Sequence, residues 1–379
     1  MGNIALKREA KLFFIPETVT GTLVEPTDAH LILVSDIASP KQDRETFDDE
    51  QIRDTRSKLS PVAGRYLAGE WSFTTYLKPS GTAGQAPPED NLMKGLLGVK
   101  ATDSTSVTYS PGGTTPATYS MWYRDGHTVF FCSGCAVNQG VIKIDGKSPG
   151  MIDWSGGLMK MLWTGTDTLG AAISDTTSTT VTPSNIELFN VGSIFTVDSE
   201  RFKVTAKGVS NMTVTRGYGS TTPATHTNGT AMTPWLPTGT ESGNIIHGRL
   251  GIATLNAVNY TLLSSSITIT NNIKYYEDEK NGENYPADFG VPEARDVEGS
   301  IQVYFRKGDS IRFADALNFD SMGMVIPLGD TAGYRMRVNL PQFKVKTPNI
   351  TGDAERVQEL TLLPFATTSF DDEISVVYY

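Results

Sequence analysis

PSGTAGQAPPEDNLMKGLLG, residues 79–98, runs from a loop poor in side-chain bulk directly into a short apolar segment. Gly81, Gly84, Pro87 and Pro88 interrupt both helices and sheet ladders. The residues before the loop, GEWSFTTYL, alternate between apolar and polar side chains, as a half-buried strand does. The stretch therefore predicts a strand, a loop and then a helix.

The apolar residues of the helical segment fall on one face. They are Leu92, Met93, Leu96 and Leu97. Asp90 or Asn91 is a candidate N-cap, and Gly98 stands where a left-handed C-cap belongs. A helix this short is marginal in water, so we expect its apolar face to pack against a sheet.

The composition favours a β-rich fold. The chain has 379 residues, of which 39% are hydrophobic and 20% charged, with 36 glycines, 20 prolines and recurrent Ser/Thr clusters. These proportions indicate many short strands joined by turns. The length is consistent with two or three domains.

The net charge is −10 at pH 7. A chain of this charge repels polyanions, which excludes DNA binding by phosphate neutralisation, and any contact with DNA would be passive. No apolar run reaches the roughly 18 to 20 residues that span a bilayer, and MGNIALKREAKLFF does not resemble a signal peptide. We expect a soluble protein made in the cytoplasm, with no membrane partner.

Catalytic motifs are absent from the sequence. The four histidines are isolated from one another, and the chain has no GxSxG, HExxH, GxGxxG or P-loop pattern. The acidic runs FDDE (47–50), YYEDEKNGE (275–283) and FDDE (370–373) lack the ligand alternation of an EF-hand, so we interpret them as solvated loops. The sequence predicts no enzyme, no cofactor and no metal site.

The two cysteines form a CxxC pair, Cys132 and Cys135. Such a pair can be redox-active or can supply half of a zinc site, but zinc needs about four ligands and no second pair follows. A redox pair is typically followed by a helix, whereas AVNQGVIKI has the character of a strand. We predict a structural role for both cysteines.

An internal repeat is the most informative feature of the chain. IASPKQDRETFDDEQIRDTRSKLSPVAGRYLAGEWSF, from Ile37, aligns without a gap on ITITNNIKYYEDEKNGENYPADFGVPEARDVEGSIQV, from Ile267. Each copy ends in an alternating strand and is followed by a helix candidate, NLMKGLLG or IRFADALNF. GHTVFFCSGCAVNQGVIKI corresponds more loosely to GYRMRVNLPQFKVKTPNI. The pattern predicts a duplicated β fold.

The segment between the two copies has a different character. It is rich in Thr and Ser at its start, and the alternating runs IFTV and RFKV then flank a polar turn. We therefore predict a first β domain at residues 1–169, a small inserted β module at residues 170–238 on the outer surface, and a second β domain at residues 239–379.

Three stretches together resemble the major tail tube proteins of long-tailed, siphovirus-like bacteriophages. They are ETVTGTLVEPTDAHLILVSDI (17–37), GTAGQAPPEDNLMKGLLG (81–98) and the closing DDEISVVYY. TVTRGYGSTTPATHTNGTAM also resembles a small β module appended to many phage virion proteins. The resemblance implies tandem β-sandwich or barrel domains, each flanked by a short helix. It also implies a structural virion protein whose rings stack into a tube for genome delivery.

The duplicated β fold resembles tube proteins with two tube domains in one chain, in which three chains form a ring of pseudo-six-fold symmetry. The partners implied are further copies of the chain, a tape measure protein, tail terminator and distal tail proteins, and DNA only in passing through the lumen. Rings need strand edges that join neighbours into a closed barrel. Our candidates for the inner barrel strands are GEWSFTTYL (69–77) and GSIQVYFRK (299–307), and we expect them to pair with strands near residues 127–145 and 334–346. The candidate residues on them are Glu70, Ser72, Thr74, Ser300, Gln302 and Tyr304.

Contacts between stacked rings are expected from the long charged loops 40–62 and 270–291, which occur in both copies. The candidates are Asp43, Glu45, Asp48, Asp49, Arg53, Tyr275, Glu277, Asp278 and Glu283. An alternative function is a receptor- or carbohydrate-binding β protein of the tail tip or capsid decoration. Its binding platform would be Trp235 and Tyr218.

Overall fold

The computed structural model describes residues 9–50, 54, 57, 60–113, 115–240, 243–277, 284–367 and 369–379. The fold is mainly β, as the sequence predicts. The described residues contain 29 strands, two α-helices and three short 3-10 helices, the last at Asp28–His30, Ile186–Leu188 and Tyr218–Ser220.

The first part of the chain forms twelve strands and one helix, α1 (Asp90–Leu97). The strands are β1 (Lys11–Pro16), β2 (Leu31–Ile32), β3 (Asp36–Lys41), β4 (Arg44–Phe47), β5 (Val62–Tyr66), β6 (Gly69–Tyr76), β7 (Gly98–Thr102), β8 (Val107–Pro111), β9 (Tyr119–Asp125), β10 (Thr128–Asp145), β11 (Met151–Leu158) and β12 (Lys160–Thr164).

The middle of the chain forms a separate six-stranded sheet in the order β13-β18-β15-β16-β17-β14. Its strands are β13 (Asp167–Thr168), β14 (Thr180–Val181), β15 (Ile194–Val197), β16 (Glu200–Lys207), β17 (Met212–Thr215) and β18 (Ala231–Pro234). The sheet has a core of its own that includes Phe189, Phe195 and Phe202. The predicted hairpin of IFTV and RFKV is present as β15 and β16.

The last part forms eleven strands and α2 (Ile311–Asn318). The strands are β19 (Ala253–Leu255), β20 (Val258–Tyr260), β21 (Ser264–Thr270), β22 (Lys274–Tyr276), β23 (Asp288–Gly290), β24 (Asp296–Tyr304), β25 (Met322–Leu328), β26 (Met336–Val345), β27 (Asn349–Thr351), β28 (Val357–Pro364) and β29 (Ser375–Tyr378).

The same order of strand pairing occurs in the first and last parts. The pairings β3-β6-β11-β10 correspond to β21-β24-β28-β26, where β27 continues the line of β26 beside β28. The pairings β1-β9-β10-β12 correspond to β19-β25-β26-β29. Among the residues that the structure describes, the hairpin of β7 and β8 has no counterpart in the last part, and β8 pairs with β29 of that part.

Two glycines define which residues of β6 and β11 are equivalent to which residues of β24 and β28. Gly69 in β6 lies opposite Leu158, and Gly299 in β24 lies opposite Leu362. A Cβ atom on Gly69 would come within 2.6 Å of the Leu158 side chain, and one on Gly299 within 3.1 Å of Leu362. Both positions therefore favour glycine because a leucine covers the strand.

The two parts join through one antiparallel junction. β10 pairs with β21 from Gln139 opposite Thr270 to Asp145 opposite Ser264. The junction creates a continuous sheet of eight strands in the order β3-β6-β11-β10-β21-β24-β28-β27. One hydrophobic core runs under both parts, from Leu12 to Tyr378.

The strand next to each predicted inner strand differs from our expectation. We expected β6 and β24 to pair with strands near residues 127–145 and 334–346. Instead, β11 lies between β6 and β10, and β28 lies between β24 and β26. The reason in the first part is the connection of β10 to β11 by a tight turn, Gly146–Gly150, which makes them a hairpin.

The helix α1 is the predicted one and is buried. Leu92, Met93, Leu96 and Leu97 are each 0% exposed. The N-cap is Glu89 rather than the predicted Asp90 or Asn91. The carboxylate of Asp90 accepts a hydrogen bond from Tyr109 at 2.5 Å and pairs with Lys94 and Lys100. Gly98 is the C-cap, as the sequence predicts, but its φ of 99° and ψ of −49° lie outside the left-handed helical region that we expected.

The helix α2 occupies the corresponding position in the last part, between β24 and the next long hairpin, but it is not buried. Phe313 and Ala316 are half-buried, whereas Leu317 is 83% exposed. Two helices with similar amphipathic sequences therefore differ in what covers them.

Cys132 and Cys135 are free thiols buried within β10. No helix follows them, and the strand continues to Asp145 as the sequence predicts. Burial raises the pKa of the Cys135 thiol well above its usual value. A raised pKa disfavours the reactive thiolate form.

Substitution of a leucine in each helix tests whether α1 is buried and α2 is exposed. We expect Leu96→Ala to lower the free energy of unfolding of the free subunit by about 2–5 kcal/mol, because it leaves a cavity beneath α1. Leu317→Ala on α2 is the matched control and should change it by less than about 0.5 kcal/mol. Denaturant titration of the unassembled subunit measures both. Equal effects would contradict the assignment of α1 to the core.

Candidate assembly surfaces

One face of the eight-stranded sheet is polar. On β6, Trp71 and Phe73 point into the core, so the alternating positions point away from it. The same holds on β24, where Ile301 and Val303 are buried. All six inner-strand candidates lie on this face: Glu70, Ser72, Thr74, Ser300, Gln302 and Tyr304. We call it the polar face.

Acidic and hydroxyl side chains dominate the polar face. Its carboxylates are Asp36, Glu70, Asp145, Asp153, Asp296, Glu298 and Glu359, and its lysines within these strands are Lys41 and Lys143. Asp153 accepts a hydrogen bond from Thr74 at 2.8 Å and forms an ion pair with Lys143. Ser300 donates to Glu359 at 3.1 Å. The face therefore carries an excess of negative charge.

The eight-stranded sheet ends in two edges. β3 pairs with β6 on one side, and among the described residues no strand pairs along its other side. At the opposite end β27 pairs with β28 alone in the described part of the chain. Each edge exposes main-chain groups that a further strand could pair with.

The two predicted ring-stacking loops contain short hairpins. β4 pairs with β5 in the first loop, and β22 pairs with β23 in the second. Asp43, Glu45, Asp48 and Asp49 lie on the first hairpin or directly beside it. Three of the candidates, Arg53, Asp278 and Glu283, lie outside the described residues.

The second loop is attached to the first part of the chain. Tyr275 donates a hydrogen bond to the carbonyl of Gly134 at 3.0 Å, and burial raises the pKa of its phenol well above the usual value. Glu277 accepts a hydrogen bond from the amide of Ala68. Tyr285 stacks on Tyr66 with ring centroids 4.6 Å apart. Tyr275 and Glu277 therefore hold this loop in place within the chain.

Residues 7–364 match the sequence profile of the family described as "Phage tail tube protein". The chain belongs to the phage tail tube protein family. No curated protein matches the sequence. Among solved structures, one from the "Cryo-EM structure of the anti-feeding prophage (AFP) baseplate, 6-fold symmetrised" is similar to part of the chain, with 11% identity and a TM-score of 0.32. That match covers 44% of this chain and 98% of the other.

Membership in the family makes this tail tube protein a structural component of the phage virion and part of a multi-subunit tail. Within the described ranges, no group of three or more His, Cys, Asp or Glu side chains is arranged so that it could hold a metal ion. In the same ranges, neither helix has the length and apolarity needed to cross a membrane.

Trp235 and Tyr218, the platform of the alternative function, lie in the joint between the middle sheet and the first part of the tail tube protein. Both are half-buried against a core cluster that contains Phe13 and Trp122. The Tyr218 hydroxyl donates to Glu25 at 2.5 Å, and the guanidinium of Arg201 lies 3.7 Å from the Trp235 ring centroid. These aromatic rings are therefore engaged within the chain, which removes the observation on which the carbohydrate platform rested.

His226 lies between two carboxylates that the sequence analysis did not connect with it. Its Nδ1 atom is 2.8 Å from Asp198 and its Nε2 atom is 2.9 Å from Glu200. Arg216 also binds Glu200 through Nε at 2.9 Å and Nη2 at 2.7 Å. The amides of Ala224 and Gly217 complete the partners of Glu200.

This network holds three loops of the middle sheet together. Burial alone would raise the pKa of Glu200, but hydrogen bonds from Arg216, the Ala224 amide and His226 outweigh it and lower the pKa to about 2. Because the oxygens of Glu200 already have these partners, the cluster is a structural one.

Glu200→Gln should destabilise the middle sheet by about 3–5 kcal/mol at pH 7, because the guanidinium of Arg216 stays buried without its counter-charge. A lowered folded-state pKa stabilises the wild type above the unfolded-state value of roughly 4.3, and this stability is lost as pH falls towards 2. Hydrogen exchange of the β15 and β16 amides between pH 7 and 3 measures both effects. Asp198→Asn, at a side chain 63% exposed, is the control and should cost under about 1 kcal/mol.

Proposed function

We propose that this tail tube protein assembles with copies of itself into closed rings of three chains that stack into a tube for genome delivery. The observation that carries the proposal is the β10–β21 junction, which joins the sheets of the two parts side by side. Repeating this junction between chains would use the two remaining sheet edges and close the sheet into a barrel.

The repeat specifies the register of the missing junction. Leu158 and Leu362 are equivalent because each lies opposite the equivalent glycine. Ser155 and Glu359, three residues before these leucines, are therefore equivalent too. Gln139 lies opposite Ser155, and Asn349 lies opposite Glu359. Asn349 therefore corresponds to Gln139. The partner of Gln139 is Thr270, which aligns with Pro40 in the gap-free repeat.

By this correspondence β27 of one chain pairs antiparallel with β3 of the next. Asn349 would lie opposite Pro40, Ile350 opposite Ser39, and Thr351 opposite Ala38. Each chain then supplies two equivalent sheets, so three chains give a ring of pseudo-six-fold symmetry. We assign residues 1–169 and 239–379 to two tube domains and residues 170–238 to an inserted module on the outside.

The polar face would line the lumen. A surface rich in carboxylates and hydroxyls repels phosphate, so DNA would pass without adhering. The inner-strand candidates Glu70, Ser72, Thr74, Ser300, Gln302 and Tyr304 would then face the genome. This arrangement suits a conduit because a binding site would slow ejection.

Contacts between rings would come from the two hairpin loops. Asp43, Glu45, Asp48, Asp49, Arg53, Asp278 and Glu283 are the candidates that remain for stacking, whereas Tyr275 and Glu277 would mainly anchor the second loop. Further partners would be a tape measure protein and the tail terminator and distal tail proteins of a siphovirus-like tail. We place synthesis in the cytoplasm of the host bacterium and propose no catalytic activity.

Cysteine cross-linking tests the proposed junction. A chain carrying Ala38→Cys, mixed before assembly with a chain carrying Thr351→Cys, should form a disulfide dimer on oxidation. Directly opposed Cα atoms in antiparallel strands lie about 4.5–5.5 Å apart, which a disulfide can span. Non-reducing electrophoresis of the assembled particles measures the dimer.

The matched control pairs Thr351→Cys with Ile37→Cys, because a shift of one residue turns the side chain to the other face of the sheet. It should cross-link far less. Equal cross-linking of both pairs, or of neither, would refute the register. The native mass of the smallest ring tests the chain number, and a mass of six chains would refute the two-tube-domain assignment.

Charge reversal tests the assignment of the lumen. Tubes of the Glu298→Lys variant should retain short duplex DNA in sedimentation at low salt, and the retention should disappear above about 0.2 M salt. Glu187→Lys, in the 3-10 helix Ile186–Leu188 beside the middle sheet, is the control and should behave like the wild type. Equal retention by both variants would place Glu298 outside the lumen.

A further inference from the structure

The outer face of α2 is an apolar stripe without a cover in the described residues. Ile311, Ala314 and Leu317 follow one another at intervals of three residues, and all are exposed. Ile311 is 53% exposed and Leu317 is 83% exposed. Phe319, directly after the helix, is 57% exposed. We call these four residues the α2 stripe.

Phe319 occupies a backbone conformation that does not suit phenylalanine. Its φ of 58° and ψ of 40° lie in the left-handed region, where glycine is the usual residue at the end of a helix. The corresponding position after α1 is Gly98. A bulky residue is disfavoured in this conformation. The ring contacts the ammonium of Lys344, 4.3 Å from the ring centroid, but more than half of Phe319 stays exposed.

The C-terminal end of α1, which is equivalent to the end of α2, is covered by another segment of the chain. Arg295 donates to the carbonyl of Leu97 at 3.3 Å, and Asn271 donates to the carbonyl of Leu96 at 3.0 Å. Val291 lines the groove beside this helix end together with Arg295. The segment that precedes β24, which belongs to the other part of the chain, therefore lies against the end of α1.

The gap-free repeat relates this covering segment to the first part of the chain. Residues 291–295 align with residues 61–65, where Arg65 corresponds to Arg295. Residues 62–65 belong to β5, which pairs with β4. Phe47 and Val62 lie opposite each other in this hairpin and are 52% and 61% exposed. The hairpin thus presents an apolar pair of its own.

We propose that the α2 stripe is the docking surface for the β4–β5 hairpin of a neighbouring copy of the chain. Phe47 and Val62 would cover Leu317 and Phe319, as the segment before β24 covers the end of α1. The proposal rests on the ring described above and adds a second contact within that ring. This contact uses the apolar pair of the hairpin, whereas the acidic residues of the same loop remain the candidates for stacking between rings. The occupant is a second copy because the internal junction places the corresponding segment at the corresponding helix.

This contact would give apolar burial to an interface that otherwise consists of strand pairing. Pairing along β27 involves three residues, and the chain turns away at Gly352. Covering several exposed apolar side chains adds a non-directional driving force that the short edge does not supply. The stripe and the hairpin would therefore decide whether rings close at low protein concentration.

The first test removes the stripe without harming the subunit. In the double variant Leu317→Ser and Phe319→Gly, the subunit should melt at or above the wild-type temperature, since glycine suits the left-handed position and Leu317 is exposed. The critical concentration for ring assembly, measured by analytical ultracentrifugation, should rise about tenfold or more. Val209→Ser, at a side chain 96% exposed in the turn between β16 and β17, is the control and should leave the critical concentration unchanged.

Unchanged ring assembly by the double variant would overturn the proposal. Normal rings that fail to stack into tubes would also overturn it, because the stripe would then serve stacking. Binding of another tail protein to the stripe in preformed wild-type rings would overturn the proposal too, because the stripe would then be free within the ring.

The second test asks for the contact directly. A chain with Val62→Cys mixed with a chain with Leu317→Cys should form disulfide dimers in assembled rings, whereas Val209→Cys mixed with Leu317→Cys should not. The edge pair Ala38→Cys and Thr351→Cys is measured in parallel. Cross-linking of the edge pair alone overturns the α2 contact and leaves the ring intact, and cross-linking of neither pair overturns both.

Discussion

Unpaired main-chain groups at the edges of a sheet are the constraint on which this structure depends. Inside the chain the constraint is met once, where β10 pairs with β21 and joins two sheets into one. The eight-stranded sheet that results still ends in β3 and β27. The chain pairs two strand edges internally and leaves an equivalent pair of edges unpaired. It is therefore suited to form the same kind of strand pairing with neighbouring copies.

Much of this fold can be read from the sequence because alternation and repetition are local signals. The alternating residues of GEWSFTTYL and GSIQVYFRK correctly predict which side chains leave the core, and the gap-free repeat predicts two similar strand pairs. The position of β11 and β28 was missed, because alternation in one strand does not specify which strand lies beside it. Pairing is decided by turns and by distant contacts.

The other features that the sequence does not predict depend on contacts between residues far apart in the chain. Tyr218 and Trp235 have the composition of a binding platform, but Glu25 and Arg201 engage them in a joint. His226 looks isolated in the sequence because its carboxylate partners lie 26 and 28 residues away. The helices α1 and α2 have the same kind of apolar pattern, and only the fold reveals that one is covered and the other is not.

The two sheet edges are built to pair weakly. β3 contains Pro40, which lacks an amide donor, and it ends in Lys41, while β27 has only three residues and follows Pro348. Proline, lysine and short length are the devices by which soluble proteins protect edges from indiscriminate pairing. An edge protected in this way resists aggregation of the free subunit, but for the same reason it gives little affinity in an assembly. Additional surfaces that match only in the correct register, such as an exposed apolar helix and an exposed apolar hairpin, would restore that affinity and specify the partner at once.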